Sequence, residues 1–265
     1  MNERFILGLD ISTTCTGVSI VYVDENNVVK PLVVTHLKQQ VPKKNISNIE
    51  TLFLKCNLLM EKIEEILKDN HLYFIENNEI KTLITDIVIE EPLLSSNNQN
   101  TVATLLRYNG MVAYKVYNLL NIVPQFISSY DARMYGVPSL MAVRKYNKAG
   151  NIYPENKIKK AINSDELVLF GAYPFDCAKK LILWNYVSEK FPEIQWVYNK
   201  KGELSKENFD ASDSLICVLG LLGYEKYKDT KPHVVDFTSS INNQKTTLSY
   251  SYEFCDNVFT KTIEL

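Results

Sequence analysis

Short apolar runs open the chain: residues 5–9, 18–23 and 32–37, the first two joined by the polar turn Ser12-Thr13-Thr14-Cys15-Thr16-Gly17. Runs of this length between polar turns predict three strands of an antiparallel meander. A helical period follows. Ser47 and Glu50 have capping-box spacing, and Ile49, Phe53, Cys56, Leu59, Ile63, Ile66 and Leu67 recur at helical intervals until Asn70 and His71. Residues 83–89 predict a further strand that ends in Glu90-Glu91-Pro92, where the proline removes a backbone donor. Helical spacing returns at Val102, Leu105, Leu106, Val112, Val116, Leu119 and Leu120, and residues 122–128 read as one more strand.

A meander followed by strand–helix–strand units with right-handed crossovers gives an α/β fold. Its mixed five-stranded sheet combines the antiparallel meander with parallel strands, carries helices on both faces and has the strands of Asp10 and Glu90 at its centre. Residues 136–174 are irregular and rich in Lys, Asn, Gly, Pro and Tyr, with one short helix expected over 155–162. Residues 177–190 read as a helix stopped by Phe191-Pro192, and 209–224 as a helix apolar around most of its circumference, hence buried. Residues 234–239 and 247–254 flank Asn242-Asn243 as an appended hairpin. The expected organisation is a main domain over 1–228, interrupted by an insertion at 139–174, and a β-rich C-terminal extension over 229–265.

Composition narrows the function classes. With 265 residues and 46% apolar content the chain can bury a sizeable core. It has no uncharged apolar run of about 18 residues, and MNERFILGLD puts charge on both sides of a short apolar stretch, so neither a membrane span nor a signal peptide is expected. Five cysteines (Cys15, Cys56, Cys177, Cys217, Cys255) without a CxxC pair, and three scattered histidines, give no zinc-ligand spacing. A reducing, cytoplasmic location is expected, a nucleoid or a viral replication site included. The net charge of −2 counts against a protein that coats nucleic acid. Positive charge is gathered locally: between 133 and 160, Arg133, Arg144, Lys145, Lys148, Lys157, Lys159 and Lys160 stand against Glu155 alone. That gathering suits phosphate contacts, and equally suits a solvated Lys-rich loop.

Acidic residues supply the candidate chemistry. Asp10 and Glu90 each end an apolar strand, at the edge where open α/β sheets place ligands. A carboxylate there is costly unless a cation compensates it, although a strand-end Asp can also cap the Ser12-Thr13 turn. Asp210 and Asp213 lie one helical turn apart and share a face, which Cys217 and Gly220 continue with small residues that allow close approach to the sheet. Taken alone, that pair also suits an N-cap with a first-turn acid. Four clustered carboxylates require counter-charge, and all-oxygen ligands suit Mg²⁺ or Mn²⁺. Two such ions about 4 Å apart can activate a water, orient a phosphate and stabilise a leaving 3′ oxygen without a side-chain nucleophile.

Three segments resemble a known family. GLDISTTCTGVSI resembles the first-strand motif of RuvC-type Holliday-junction resolvases, of the RNase H-like superfamily; IVIEEPLLSSNNQNTVATLLRYNGMV resembles their acidic strand and following helix, and FDASDSLICVLGLL their C-terminal acidic helix. The resemblance implies a metal-dependent endonuclease in which Asp10, Glu90, Asp210 and Asp213 hold two Mg²⁺ or Mn²⁺ ions. It further implies branched or duplex DNA as partner and a homodimer that nicks two strands in concert. Arg133, Arg144, Lys145, Lys179 and Lys180 are the expected phosphate contacts. Rival readings are a nuclease of the same fold acting on RNA or RNA–DNA hybrids, a non-catalytic branched-DNA binding module, and an ATPase of the actin or sugar-kinase type. The DISTTCTGVSI turn resembles the first phosphate loop of those ATPases, but the chain has only nine glycines and no DxGxGT-like string. No nucleotide cofactor is therefore expected.

Overall fold

The computed structural model describes residues 3–41, 46–76, 79–92, 98–140, 156, 178–230 and 233–264. Arg144, Lys145 and, apart from Asn156, the helix expected over 155–162 lie outside them. Two compact units partition the chain, Met1–Ser129 with Leu183–Val218, and Tyr130–Ile182 with Leu219–Leu265.

In the first unit the meander forms as the apolar runs predict: β1 (Arg4–Asp10), β2 (Cys15–Val23) and β3 (Val29–Lys38) pair antiparallel. After α1 (Asn48–Asp69), a small hairpin of β4 (Tyr73–Glu76) and β5 (Glu79–Thr82) precedes β6 (Asp86–Glu90). Helix α2 (Gln99–Leu120) crosses to β7 (Gln125–Ile127). The sheet runs β3-β2-β1-β6-β7, with β1–β6 and β6–β7 parallel. This is the mixed five-stranded α/β sheet that the sequence predicts, with the strands of Asp10 and Glu90 internal.

The Ser47 capping box is complete. The Glu50 amide donates to Ser47 Oγ at 3.3 Å, while the Ser47 hydroxyl and the Ser47 amide each donate to Glu50 Oε2 at 2.7 Å and hold that carboxyl below the usual range. Leu7, Leu9, Val18, Ile20, Ile87 and Ile89 of one sheet face are buried against Cys56, Leu59 and Ile63 of α1 and Tyr108, Val112 and Val116 of α2. The alternation of side chains then leaves Gly8, Asp10, Gly17, Ser19, Val88 and Glu90 on the opposite face. Arg4 Nε pairs with Asp86 Oδ2 at 2.9 Å and the Thr85 amide donates to Phe5 O at 2.8 Å, fixing where β6 begins beside β1.

Helix α4 (Lys179–Lys190) and α5 (Glu207–Tyr227) each contribute residues to both units. The second unit also holds α3 (Ser129–Gly136), which the sequence reading did not predict, and a three-stranded sheet of β8 (His233–Asn242), β9 (Lys245–Phe254) and β10 (Asn257–Glu264). The expected hairpin thus gains a third strand, and its turn falls on Asn243-Gln244, both at positive φ, since Asn242 pairs with Lys245. Leu248, Tyr250, Tyr252 and Phe254 are the buried face of β9, and Tyr135 of α3 stacks on Tyr224 and Phe254 at 5.3 and 5.8 Å.

Candidate active site

Parallel register sets the first two acids side by side. Leu9 pairs with Ile89, so Asp10 and Glu90 follow at the same level on adjacent strands and on one face. Both are half-buried. The turn between β1 and β2 is closed by Ser12, whose Oγ accepts from the Cys15 amide at 3.1 Å and the Thr14 amide at 3.3 Å and donates to Cys15 O at 2.6 Å. Lys55 of α1 donates to Thr13 O at 2.6 Å.

Helix α5 lies against this face because two strand glycines admit it. A Cβ on Gly17 would sit 1.9 Å from Asp210 O, and one on Gly8 would sit 2.5 Å from Ser214 O and from Val218 Cγ2. The small residues that permit the approach therefore stand on the sheet. Gly220, expected to serve this purpose on the helix, instead meets α3 within the second unit, where its Cβ would be 2.4 Å from Ala132 Cα.

Helical periodicity places the remaining acids. Asp210 is not an N-cap, because α5 begins three residues earlier at Glu207; its backbone rests on Gly17, the cross-strand partner of Asp10. Cys217 Sγ reaches Glu90 Oε2 at 3.9 Å. Asp213 lies one turn before Cys217 on the same stripe and is 6% exposed. Asp10, Glu90, Asp210 and Asp213 are thus carried to one sheet face by β1, β6 and α5. Among the described residues, however, no three His, Cys, Asp or Glu side chains stand in an arrangement that could hold a metal ion, and all four acids make other interactions. Their backbone positions and all-oxygen chemistry suit a hard divalent ion; their side-chain rotamers, as they stand, do not converge on one point.

Several neighbours of Asp210 escaped the sequence reading. Cys15 bonds to its carboxylate, and burial together with that charge pushes the thiol up to about 12. His36, cross-strand partner of Gly17, is held below the ordinary imidazole value by burial, against the opposing pull of Glu207 and Asp210. Lys38 Nζ pairs with Glu207 Oε1 at 2.6 Å and holds that carboxyl down to about 2. The only signal for these contacts was parity: Cys15 and Gly17 are two apart, so they share the face that receives α5.

Of the expected basic contacts, Arg133 lies in α3, half-buried, and Lys179 and Lys180 are exposed in the first turn of α4; all three belong to the second unit.

No protein-family model and no curated protein sequence matches the chain. Among solved structures it is similar to T. thermophilus RuvC in complex with Holliday junction substrate, with TM-score 0.45 and 10% identity over 84% of this chain and 96% of that one. It is similar also to the yeast mitochondrial Holliday junction resolvase Ydc2, with TM-score 0.46 and 11% identity over 85% of this chain and 82% of that one. A more distant likeness is to an exopolyphosphatase from Cytophaga hutchinsonii, with TM-score 0.31 and 12% identity over 70% of this chain and 60% of that one.

Proposed function

We propose that the chain is a metal-dependent endonuclease of the resolvase type, hydrolysing phosphodiester bonds of branched DNA. The observation that carries this reading is the gathering of Asp10, Glu90, Asp210 and Asp213 on one sheet face by three separate elements, one of the four 6% exposed. Burying like charges this way is costly, and bound cations offset that cost.

The four carboxylates would hold Mg²⁺ or Mn²⁺, two ions per site, and such ions supply Lewis acidity at the phosphate and an acidified water. The chain's own part is positional. β1 and β6 present Asp10 and Glu90 at fixed spacing, α5 brings Asp210 and Asp213 over them, and a bound ion would have to take the places that the thiols of Cys217 and Cys15 hold on Glu90 and Asp210. The nuclease domain would occupy 1–228 with its insertion at 139–174, the extension 229–265, and a homodimer would supply two sites for paired nicks.

Arg133, Arg144, Lys145, Lys179 and Lys180 are the proposed phosphate contacts. Replacing Arg133, Lys179 and Lys180 by Ala should weaken junction binding and flatten its logarithmic salt dependence by about 2 to 3, since about 0.9 counterion is released per duplex phosphate neutralised. An unchanged slope assigns the three to ordinary solvated surface.

The deciding assay incubates the protein with labelled four-way junction, duplex, single-stranded DNA and RNA–DNA hybrid, in Mg²⁺ or in EDTA. Cleavage of the junction in Mg²⁺ alone is expected. Cutting confined to the hybrid would reassign the substrate to RNA, and tight junction binding with no cleavage of anything would make the chain a binding module.

A further inference from the structure

The segment between α4 and α5 carries exposed groups that the acid site does not use. Tyr198 bridges to Leu204, the Asn199 amide donates to Glu203 O at 2.9 Å, and Asn199 Oδ1 accepts from the amides of Lys201 and Glu203 at 2.8 and 3.0 Å. Gly202, at φ +78°, completes the turn. The base of this loop is fixed twice. Trp196 meets Trp184 of α4 edge-on at 5.7 Å, and the buried Asn208 clamps Val197, accepting from its amide at 3.2 Å and donating to its carbonyl at 2.6 Å. Asn208 is in the first turn of α5, two residues before Asp210, so the loop is rigidly registered to the acidic helix.

What the loop displays is an aromatic ring among cations. Tyr198 is 55% exposed, Lys200, Lys201 and Lys206 are exposed, and none of these ammonium groups pairs with a carboxylate among the described residues. The loop's own acid, Glu203, is turned onto Asn199 Nδ2 at 2.9 Å. A phosphate chain approaching four carboxylates meets repulsion, and cations carried on the segment that leads into the acidic helix offset it. Aromatic rings interleaved with such cations stack on unpaired bases, since every base has a π-face.

We propose that residues 197–203 are a nucleic-acid contact in which Tyr198 stacks on an unpaired base and Lys200 and Lys201 meet the flanking phosphates. This inference rests on the nuclease reading and names how that site holds its strand. It is tested by fluorescence anisotropy of labelled single-stranded and four-way-junction DNA in EDTA, where no cleavage intervenes, with the full chain and three variants. Tyr198→Ala should weaken binding about 5- to 150-fold, whereas Tyr198→Phe, which keeps the ring, should bind like the parent. Lys200→Ala with Lys201→Ala should lower the logarithmic salt slope by about 1.4 on single strands and about 1.8 on duplex arms. Melting temperatures should not move, because the clamp residues are untouched. If the parent binds DNA and the variants bind equally well, the loop is a solvated turn and the inference fails while the nuclease reading stands. Loss of affinity that Phe does not restore, or that tracks a fall in melting temperature, also overturns it. If the parent binds no nucleic acid, the nuclease reading fails and takes this one with it.

Discussion

Asp213→Asn is expected to abolish cleavage, by about 10³-fold or more, while leaving the fold and DNA binding near those of the parent. The size follows from the several kcal/mol of charge stabilisation that a correctly held ion contributes to a phosphoryl transition state. The sign of the stability change is more diagnostic than the loss of activity. Asp213 is buried on the stripe that reaches Glu90 through Cys217, where mutual repulsion of gathered carboxylates is costly and a bound cation offsets it. Asn removes that repulsion at nearly constant volume. Without metal, the variant should melt at the parent's temperature or slightly above it. A divalent ion at about 100 times its dissociation constant stabilises a single-site protein by about 2.7 kcal/mol, which for a chain of this size raises Tm by about 5 to 10 °C; the variant should lose most of that rise. Calorimetry with and without Mg²⁺ reads both numbers. Full Mg²⁺-dependent cleavage by Asp213→Asn and by Asp10→Asn would sink the reading, and so would a parent whose melting is indifferent to every divalent ion.

The second large effect belongs to a residue with no chemistry. Gly17→Ala should cost about 3 kcal/mol or more, because the new Cβ would stand 1.9 Å from Asp210 O, a backbone atom that a side-chain rotation cannot move aside. The helix would have to lift, and Asp210 would lift with it. Stability and cleavage should fall together, unlike in Asp213→Asn. Gly110→Ala is the control: it lies within α2 with open space where its Cβ would go, so the substitution should stabilise by about 0.5 to 1 kcal/mol through helix propensity alone. Urea denaturation of the two variants decides the matter. A Gly17→Ala protein as stable as its parent would mean that α5 does not rest on β2 at this point.

The sequence carried the sheet well because its signals are local. Short apolar runs mark β1, β2 and β3, the capping box marks α1, and Glu91-Pro92 marks the end of β6. The hairpin of β4 and β5 was not legible, since Phe74 and Ile75 are exposed and follow no burial pattern. Helix α3, at 8 residues, is too short for a periodic signal, and β10 follows a tight turn at Cys255-Asp256 made without glycine. At the site, Asp10 and Glu90 were legible as strand-end acids and Asp210 and Asp213 as a pair one helical turn apart, although α5 begins earlier, at Glu207, than that pair suggested. Their environment was not legible. The bond from Cys15 to Asp210 and the Lys38–Glu207 pair join residues far apart in sequence, brought together by the packing of α5 on Gly8 and Gly17, and the clamp of Asn208 on Val197 spans a loop with no periodic signal.

The Arg4–Asp86 pair gives the two central strands a common zero from which residues are counted. Asp10 lies six positions beyond Arg4 and Glu90 four beyond Asp86, both even, and an even count is what returns a side chain to its starting face. Deleting one residue within either span would turn one acid toward α1 and α2, away from its three companions. Deleting two would shorten the strand yet keep the acid on its side. Residue changes that keep these two spans at their lengths leave both acids on their face, whereas a single insertion or deletion in either does not.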